Sequence, residues 1–411
     1  MTTHSKFQMP NFDMRSKWLR LLFALLCAAW FVQKAVWSNA GNQWDFRVYY
    51  HSAQAWRAGL DPYDTASLPR DLRETGFRFN YPPYALGLFT PFASLPLPRA
   101  RLLHIALKLA ALALLVQIWS RLLRTSVAEP VWELFLVFAY SSAIFIDIVS
   151  GSVTTFEQCL VWLGATALLA DRYWLYVAAV VLASSFRLTP LVLLVVCLAA
   201  RDGRGGRYFA GGLAAFAGIF ALTYAIAPRL MLEFLQSIPR NYGESGRLNP
   251  ASFPLVTDVA AMVERSYHLA VPSLIQVAAY LAIAAAVAVP TWIVAARLAK
   301  SDASNRLELI LYLAAIVQPL VMPRFKNYSY MLLVAPTYYI ATRSTHVRNA
   351  LPLLLVACLP VYSWITSADK VALVANYSQW LIAAGAWAMY MHEIRAGGLL
   401  VPATTPPVFS A

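Results

Sequence analysis

Charge is the scarcest property of this chain. Asp, Glu, Lys and Arg supply 13% of its 411 residues, about half the share of a soluble domain. With 60% hydrophobic residues and a mean hydropathy of +0.56, that scarcity excludes an ordinary soluble chain. Only four cysteines are present, Cys27, Cys159, Cys197 and Cys358. All fall inside apolar runs, spaced neither as a metal site nor as a disulfide framework, so packing is their expected role. The chain has no glycine-rich phosphate loop, zinc signature or lipase elbow, and no internal repeat. Strict apolar/polar alternation is also missing, which excludes a transmembrane barrel.

Long apolar runs dominate instead. A helix needs about 20 such residues to cross a bilayer, and a helix pairs all its own backbone groups there. The expected class is therefore all-α and polytopic, with about ten full transmembrane helices. They are read near 18–37, 100–120, 131–149, 154–170, 208–227, 273–297, 307–322, 327–342, 350–366 and 370–391. The run 173–200 differs, because Arg187-Leu188-Thr189-Pro190 interrupts it. A proline beside an intramembrane charge predicts a re-entrant pair of half-length helices. With that pair, the basic connections around Arg20, Arg121, Arg172, Arg204, Lys300 and Arg343 all lie on one face. Both termini are then cytoplasmic, and two long outer loops, about 38–99 and 228–272, face the exterior. No cleavage site follows the first run, which is expected to stay as a signal anchor. Residues 1–395 read as one integral-membrane domain and 396–411 as a disordered tail. The net charge of +13 is explained by loop ends meeting anionic membrane lipid, and nucleic acid is not expected as a partner.

Within the first outer loop, acid, aromatic and turn residues concentrate. Asp45 stands in Trp44-Asp45-Phe46-Arg47-Val48-Tyr49-Tyr50, and the loop ends in Phe79-Asn80-Tyr81-Pro82-Pro83-Tyr84. Asp61, Asp64, Asp71 and Glu74 have the spacing of an ordinary solvated loop rather than of paired hydrolase carboxylates. No second carboxylate is spaced with Asp45 as a metal ligand, so no metal or other cofactor is expected.

The order Asp45-Phe46-x-Val48-Tyr49-Tyr50, Gly59-x-x-Pro62-Tyr63, Tyr81-Pro82-Pro83, Arg187-Leu188-x-Pro190 and Asn249-x-x-Ser252 resembles glycosyltransferase family 87. This is a branch of the GT-C superfamily that includes mycobacterial polyprenol-phosphate-mannose-dependent mannosyltransferases. The resemblance implies a GT-C-type bundle that takes a sugar from a polyprenyl-phosphate donor at the outer face of the bacterial cytoplasmic membrane. It gives that sugar to a lipid or glycan hydroxyl with inversion, and by motif position Asp45 is its catalytic base. The chain departs from the family pattern at Arg187, at Gly151-Ser152-Val153-Thr154 and in the segment Pro319 to Tyr330. The sugar is therefore read as mannose or another hexose or pentose.

The residue chemistry is compatible with that role, since attack on an anomeric carbon requires a base at the incoming hydroxyl and cations at the departing phosphate. Asp45 reads as that base or as a helix-cap or loop acid. Arg187, Arg324 and Lys326 read as a phosphate clamp or as cations snorkelling to the interface. Arg47, Tyr49, Tyr50, Tyr81 and Tyr328 are candidates for sugar or acceptor contact, although tyrosines also populate membrane interfaces. Lys108, which shares a helix face with Arg101 and His104, reads as an intramembrane functional candidate or, in preference, as a lysine reaching the headgroups. Asp147 and Glu157 read equally as partners of Arg187 or as acceptor contacts, and Asn249 and Ser252 as acceptor-site candidates or, in preference, a plain turn. The alternative function is a transporter or flippase for a lipid-linked glycan, which would carry repeated halves and midplane charges.

Overall fold

The computed structural model describes residues 17–33, 43–74, 77–126, 129–238, 246–344, 353, 356–358 and 369–401. The described residues form helices and 3-10 segments with no strand. After α1 (Lys17–Val32) the chain forms α2 (Trp44–Arg57), the short α3 (Arg70–Glu74) and α4 (Tyr84–Ala93). It continues with α5 (Leu97–Leu123), α6 (Pro130–Ser150), α7 (Thr154–Leu169) and α8 (Tyr173–Ser184). A 3-10 segment at Thr189–Ala199 leads into α9 (Gly205–Ile226), α10 (Pro228–Ser237), α11 (Ser252–Tyr267), α12 (Ser273–Ala299) and α13 (Arg306–Val321). A second 3-10 segment, Asn327–Leu333, precedes α14 (Val334–Arg343), α15 (Asp369–Asn376) and α16 (Ser378–Arg395).

Four of the described helices, α5, α6, α9 and α12, are long and apolar enough to cross a membrane. The chain is a membrane protein, and among the described residues fewer helices than the expected ten or so are long enough to span it. Hydropathy registers how long an apolar run is, and not where its backbone breaks. The run 327–342 begins as a 3-10 segment, and 370–391 is divided between α15 and α16. In α6 a left-handed turn at Tyr140, Ser141 and Ser142 interrupts the helix. The freed Tyr140 carbonyl accepts a bond from Gln379 Nε2 at 2.5 Å. Most of the expected span 350–366 lies outside the described residues.

The run 173–200 forms a hairpin: α8 rises to Arg187 and the 3-10 segment returns against it. Twelve helical residues extend only about 18 Å, well short of the hydrocarbon core. Tyr173, at the start of α8, stacks on Tyr208, just past the end of the hairpin, with ring centroids 5.0 Å apart. Both ends of the hairpin therefore lie on one side. Pro190 stops α-helix from resuming after Arg187 because it lacks a donor and its ring occupies the preceding turn.

The hairpin, α13, α14 and the 3-10 segment Asn327–Leu333 form the buried centre of the bundle. By contrast α9 and α12 show much of their apolar surface, with Leu274 78% exposed, as expected of helices bathed in lipid. Gly211 and Gly212 let α9 approach the hairpin, since a Cβ at Gly212 would lie 2.7 Å from Leu194 Cδ1.

The expected outer loop 38–99 is largely folded where it is described. Here α2, α4 and the connecting segment form an aromatic cap in which Tyr49, Tyr63, Phe79, Tyr81 and Phe89 pack together with Phe234 of α10. Asp61 and Asp64 cap its turns, accepting bonds from the Tyr63 and Ala66 backbone amides at 2.8 and 2.9 Å. At the other end, the expected disordered tail meets the bundle as far as Val401: Asn305 donates to the Leu399 carbonyl and accepts from the Val401 amide. Residues 402–411 lie outside the described residues.

Candidate active site

Asp45 sits in the first turn of α2, where the unpaired amides and the helix dipole favour negative charge. The start of α2 is pinned to the end of α6. Gln43, with a left-handed φ of 33°, donates from its backbone to the Val149 carbonyl at 3.0 Å. Its side chain donates to the Ile148 carbonyl at 2.5 Å. Gly151 makes this approach possible. Its φ is +72°, and a Cβ there would lie 2.6 Å from Gln43 Oε1 and 2.7 Å from Phe46 Cβ.

Arg187 occupies the hairpin tip and is held on several sides. Its Nη1 donates to Thr154 Oγ1 at 2.7 Å and to Ser329 Oγ at 3.2 Å. Nη2 donates to Ser152 Oγ at 2.7 Å and to the Tyr81 hydroxyl at 3.2 Å. Glu157 lies 3.7 Å away, and the Tyr328 ring packs under the guanidinium with its centroid at 4.8 Å. This fork is preorganised, and little further side-chain entropy is lost when it meets a ligand.

Behind Arg187 lies a fully buried ion pair. Lys108 Nζ is 2.8 Å from Asp147 Oδ2 and donates to the carbonyls of Asp147 and Ser152 at 2.6 and 2.7 Å. Lys108 therefore does not reach headgroups. It braces the turn between α6 and α7 that presents Ser152 and Thr154 to Arg187. Asp147 is partnered by Lys108 and Thr155, while Glu157 lies beside Arg187. His104, buried against the Phe46 ring at 4.3 Å, backs α2 from α5.

The remaining wall runs from Arg324 into the 3-10 segment Asn327–Leu333 and carries Arg324, Lys326 and Tyr328. The segment before α11 supports it: Asn249 Oδ1 accepts from the Phe325 amide at 2.6 Å, and the Asn327 amide donates to the Leu248 carbonyl at 3.3 Å. Asn249 and Ser252 are both buried, and Ser252 donates to the Leu320 carbonyl at 2.6 Å. Both make structural contacts, Ser252 from the first position of α11.

These elements enclose a cavity of about 180 Å³ lined by Asp45, Tyr49, Tyr81, Arg187, Arg324, Lys326 and Tyr328. Two sequence candidates lie elsewhere. Arg47 is paired with Asp71 at 2.6 Å, and the Tyr50 hydroxyl donates to the Leu95 carbonyl at 2.7 Å. The reason is helical periodicity, which places Val48 and Tyr49 beside Asp45 and turns Arg47 and Tyr50 away. Trp44, Phe77, Arg78, Asn80 and Leu248 also line the cavity, and the sequence reading did not single them out. For Trp44 and Asn80 the signal was adjacency to Asp45 and Tyr81, whereas Leu248 carries none.

Among the described residues Asp45 is the sole carboxylate on the lining. Its Oδ2 is shielded from solvent and has no hydrogen-bond partner. Burial pushes the carboxyl above the usual carboxylate range. Lys326, Arg187 and Lys108, with a hydrogen bond from Tyr328, pull it back only in part. Among the described residues no three His, Cys, Asp or Glu side chains gather as a metal site.

A second cavity, about 360 Å³, adjoins the first. Asn80, Arg187, Arg324 and Lys326 line both. Beyond those four residues the second cavity is mainly apolar, with Phe186, Leu188, Phe220, Phe234, Ile238 and Met322 on its walls. An anion at the junction could thus carry a polar group into one cavity and a hydrocarbon chain into the other. The family model for glycosyltransferase family 87 matches residues 79–323, starting beyond Asp45. No curated protein and no solved structure matches the chain.

Proposed function

Because the chain belongs to glycosyltransferase family 87, and is therefore a membrane glycosyltransferase with a sugar donor and an acceptor, we propose that its donor is a polyprenyl-phosphate sugar and its base Asp45. One observation carries this reading: the four residues shared by the two cavities include three cations, with the carboxylate of Asp45 on the polar side and an apolar channel on the other. The donor phosphate lies against Arg187, Arg324 and Lys326. Its isoprenoid chain runs along Phe186, Phe220 and Phe234, and its sugar lies towards Asp45.

Asp45 takes the proton of the acceptor hydroxyl as that oxygen attacks the anomeric carbon from the face opposite the phosphate. The bond to the phosphate oxygen breaks with its electron pair, and polyprenyl phosphate leaves with its new charge held by the cations. One displacement inverts the anomeric centre. Tyr49, Tyr81 and Tyr328 contribute hydroxyls and ring faces around the sugar. The acceptor is a lipid or glycan hydroxyl, and the reaction face is the exterior of the bacterial cytoplasmic membrane with both termini inside. The raised position of the Asp45 carboxyl brings its basicity closer to that needed near neutral pH.

The test is transfer by protein reconstituted in lipid, offered radiolabelled polyprenyl-phosphate hexoses and pentoses with membrane glycolipid and glycan extracts. Product with the wild-type chain and none with Asp45→Asn is the expected result. Equal product from a folded Asp45→Asn protein overturns the base. Transfer from a nucleotide sugar alone overturns the donor.

A further inference from the structure

A third cavity, larger than the two at the candidate active site, lies elsewhere in the bundle. A crevice of about 490 Å³ opens between α1, α5 and α6, a size typical of pockets for small ligands. Its walls are apolar, with Leu25, Phe31, Leu112, Val116 and Leu136 among them, and among the described residues Glu133 is the one charged side chain on its lining. Glu133 stands in the first turn of α6, at the end opposite Asp147 and the candidate active site. The residue is 8% exposed, and both carboxylate oxygens are shielded from solvent with no hydrogen-bond partner. The carboxylate faces α1 closely enough to act electrostatically on Cys27, which also lines the crevice. Glu129, at the N-cap of α6, adds negative charge beside it.

Among the described residues no cation pairs with this carboxylate; an unpaired carboxylate at the edge of a bilayer is costly, and such residues mark ligand or ion sites. An acyl chain alone would fill the crevice and leave Glu133 unpaired. An anionic lipid would be repelled by both acids. We propose that the crevice is a binding site for an amine-headed membrane lipid, whose ammonium pairs with Glu133 while one acyl chain lies between α1, α5 and α6. The site is separate from the glycosyl-transfer cavity and does not depend on its assignment.

The experiment is a titration of purified protein with lyso-phosphatidylethanolamine and lyso-phosphatidylglycerol of equal chain length, read by native mass spectrometry. The wild-type chain is expected to hold the ethanolamine lipid at least about tenfold more tightly. Glu133→Gln should remove that preference, and Ala28→Trp, from an exposed α1 position on the crevice wall, should weaken both lipids. An N-acetylated ethanolamine lysolipid, offered to the unaltered protein, tests the same pairing should Glu133→Gln not fold. It is expected to bind no better than the glycerol lipid. Equal affinity for the ethanolamine, N-acetylated and glycerol lipids, or a preference that survives Glu133→Gln, overturns the proposal.

Discussion

At Asp45 two demands meet, a carboxylate basic enough to take a proton and a fold that tolerates its burial. Asp45→Asn is expected to lower transfer by about 10²–10⁴-fold, the usual worth of a general base. Because the folded state raises this carboxyl, folding favours its protonated form, and that contribution to stability declines as pH rises through the raised value. Asn removes the penalty, so thermal unfolding near neutral pH should occur at the wild-type temperature or above. The same sign predicts that the acid limb of the activity profile lies above the ordinary carboxylate range, as a pH series on the reconstituted protein would read. Arg324→Ala should raise the donor KM, because it weakens the cation cluster at the cavity junction. Arg47→Ala and Tyr50→Phe, on other faces of α2, should keep near wild-type transfer. In sequence these two residues are near neighbours of Asp45. Helical periodicity alone separates them from it.

At the scale of elements, the site depends on how three segment ends are joined. The α6–α7 turn supplies Ser152 and Thr154 to Arg187, Lys108 and Asp147 hold that turn, and Gly151 lets α2 dock on it. Lys108→Met leaves the Asp147 carboxylate buried without its cation and should cost about 3–5 kcal/mol. Adding Asp147→Leu should recover much of this, as unfolding of the single and double variants in detergent can measure. Gly151→Ala meets both a positive φ and contacts under 3 Å from Gln43 and Phe46. Destabilisation of at least about 1 kcal/mol is expected, with loss of transfer as the start of α2 shifts.

Across the whole molecule, the half-length hairpin reverses direction at Arg187, so its two ends share a side. The proposed orientation then places Asp64 and Asp202 on opposite faces of the membrane. With the native cysteines replaced, Asp64→Cys should react with an impermeant maleimide from outside intact cells, and Asp202→Cys only after permeabilisation. Labelling of both from one side would reverse this topology.

The sequence by itself determined the class: too few charges for a soluble chain, apolar runs of membrane length, and Pro190 beside Arg187, which marked the hairpin because proline cannot continue an α-helix and a charge needs partners. The block around Asp45 and the cations at Arg187, Arg324 and Lys326 were also legible, as polar chemistry standing out from an apolar background. Tertiary structure decided the rest. It showed which apolar runs stay continuous as helices, because breaks such as that at Tyr140 depend on partners as distant as Gln379. It buried Lys108 against Asp147 rather than at the headgroups, and it assembled Trp44, Arg78 and Leu248 around Asp45. Those arrangements rest on contacts between residues far apart in the chain, and composition and local periodicity carry no record of such contacts.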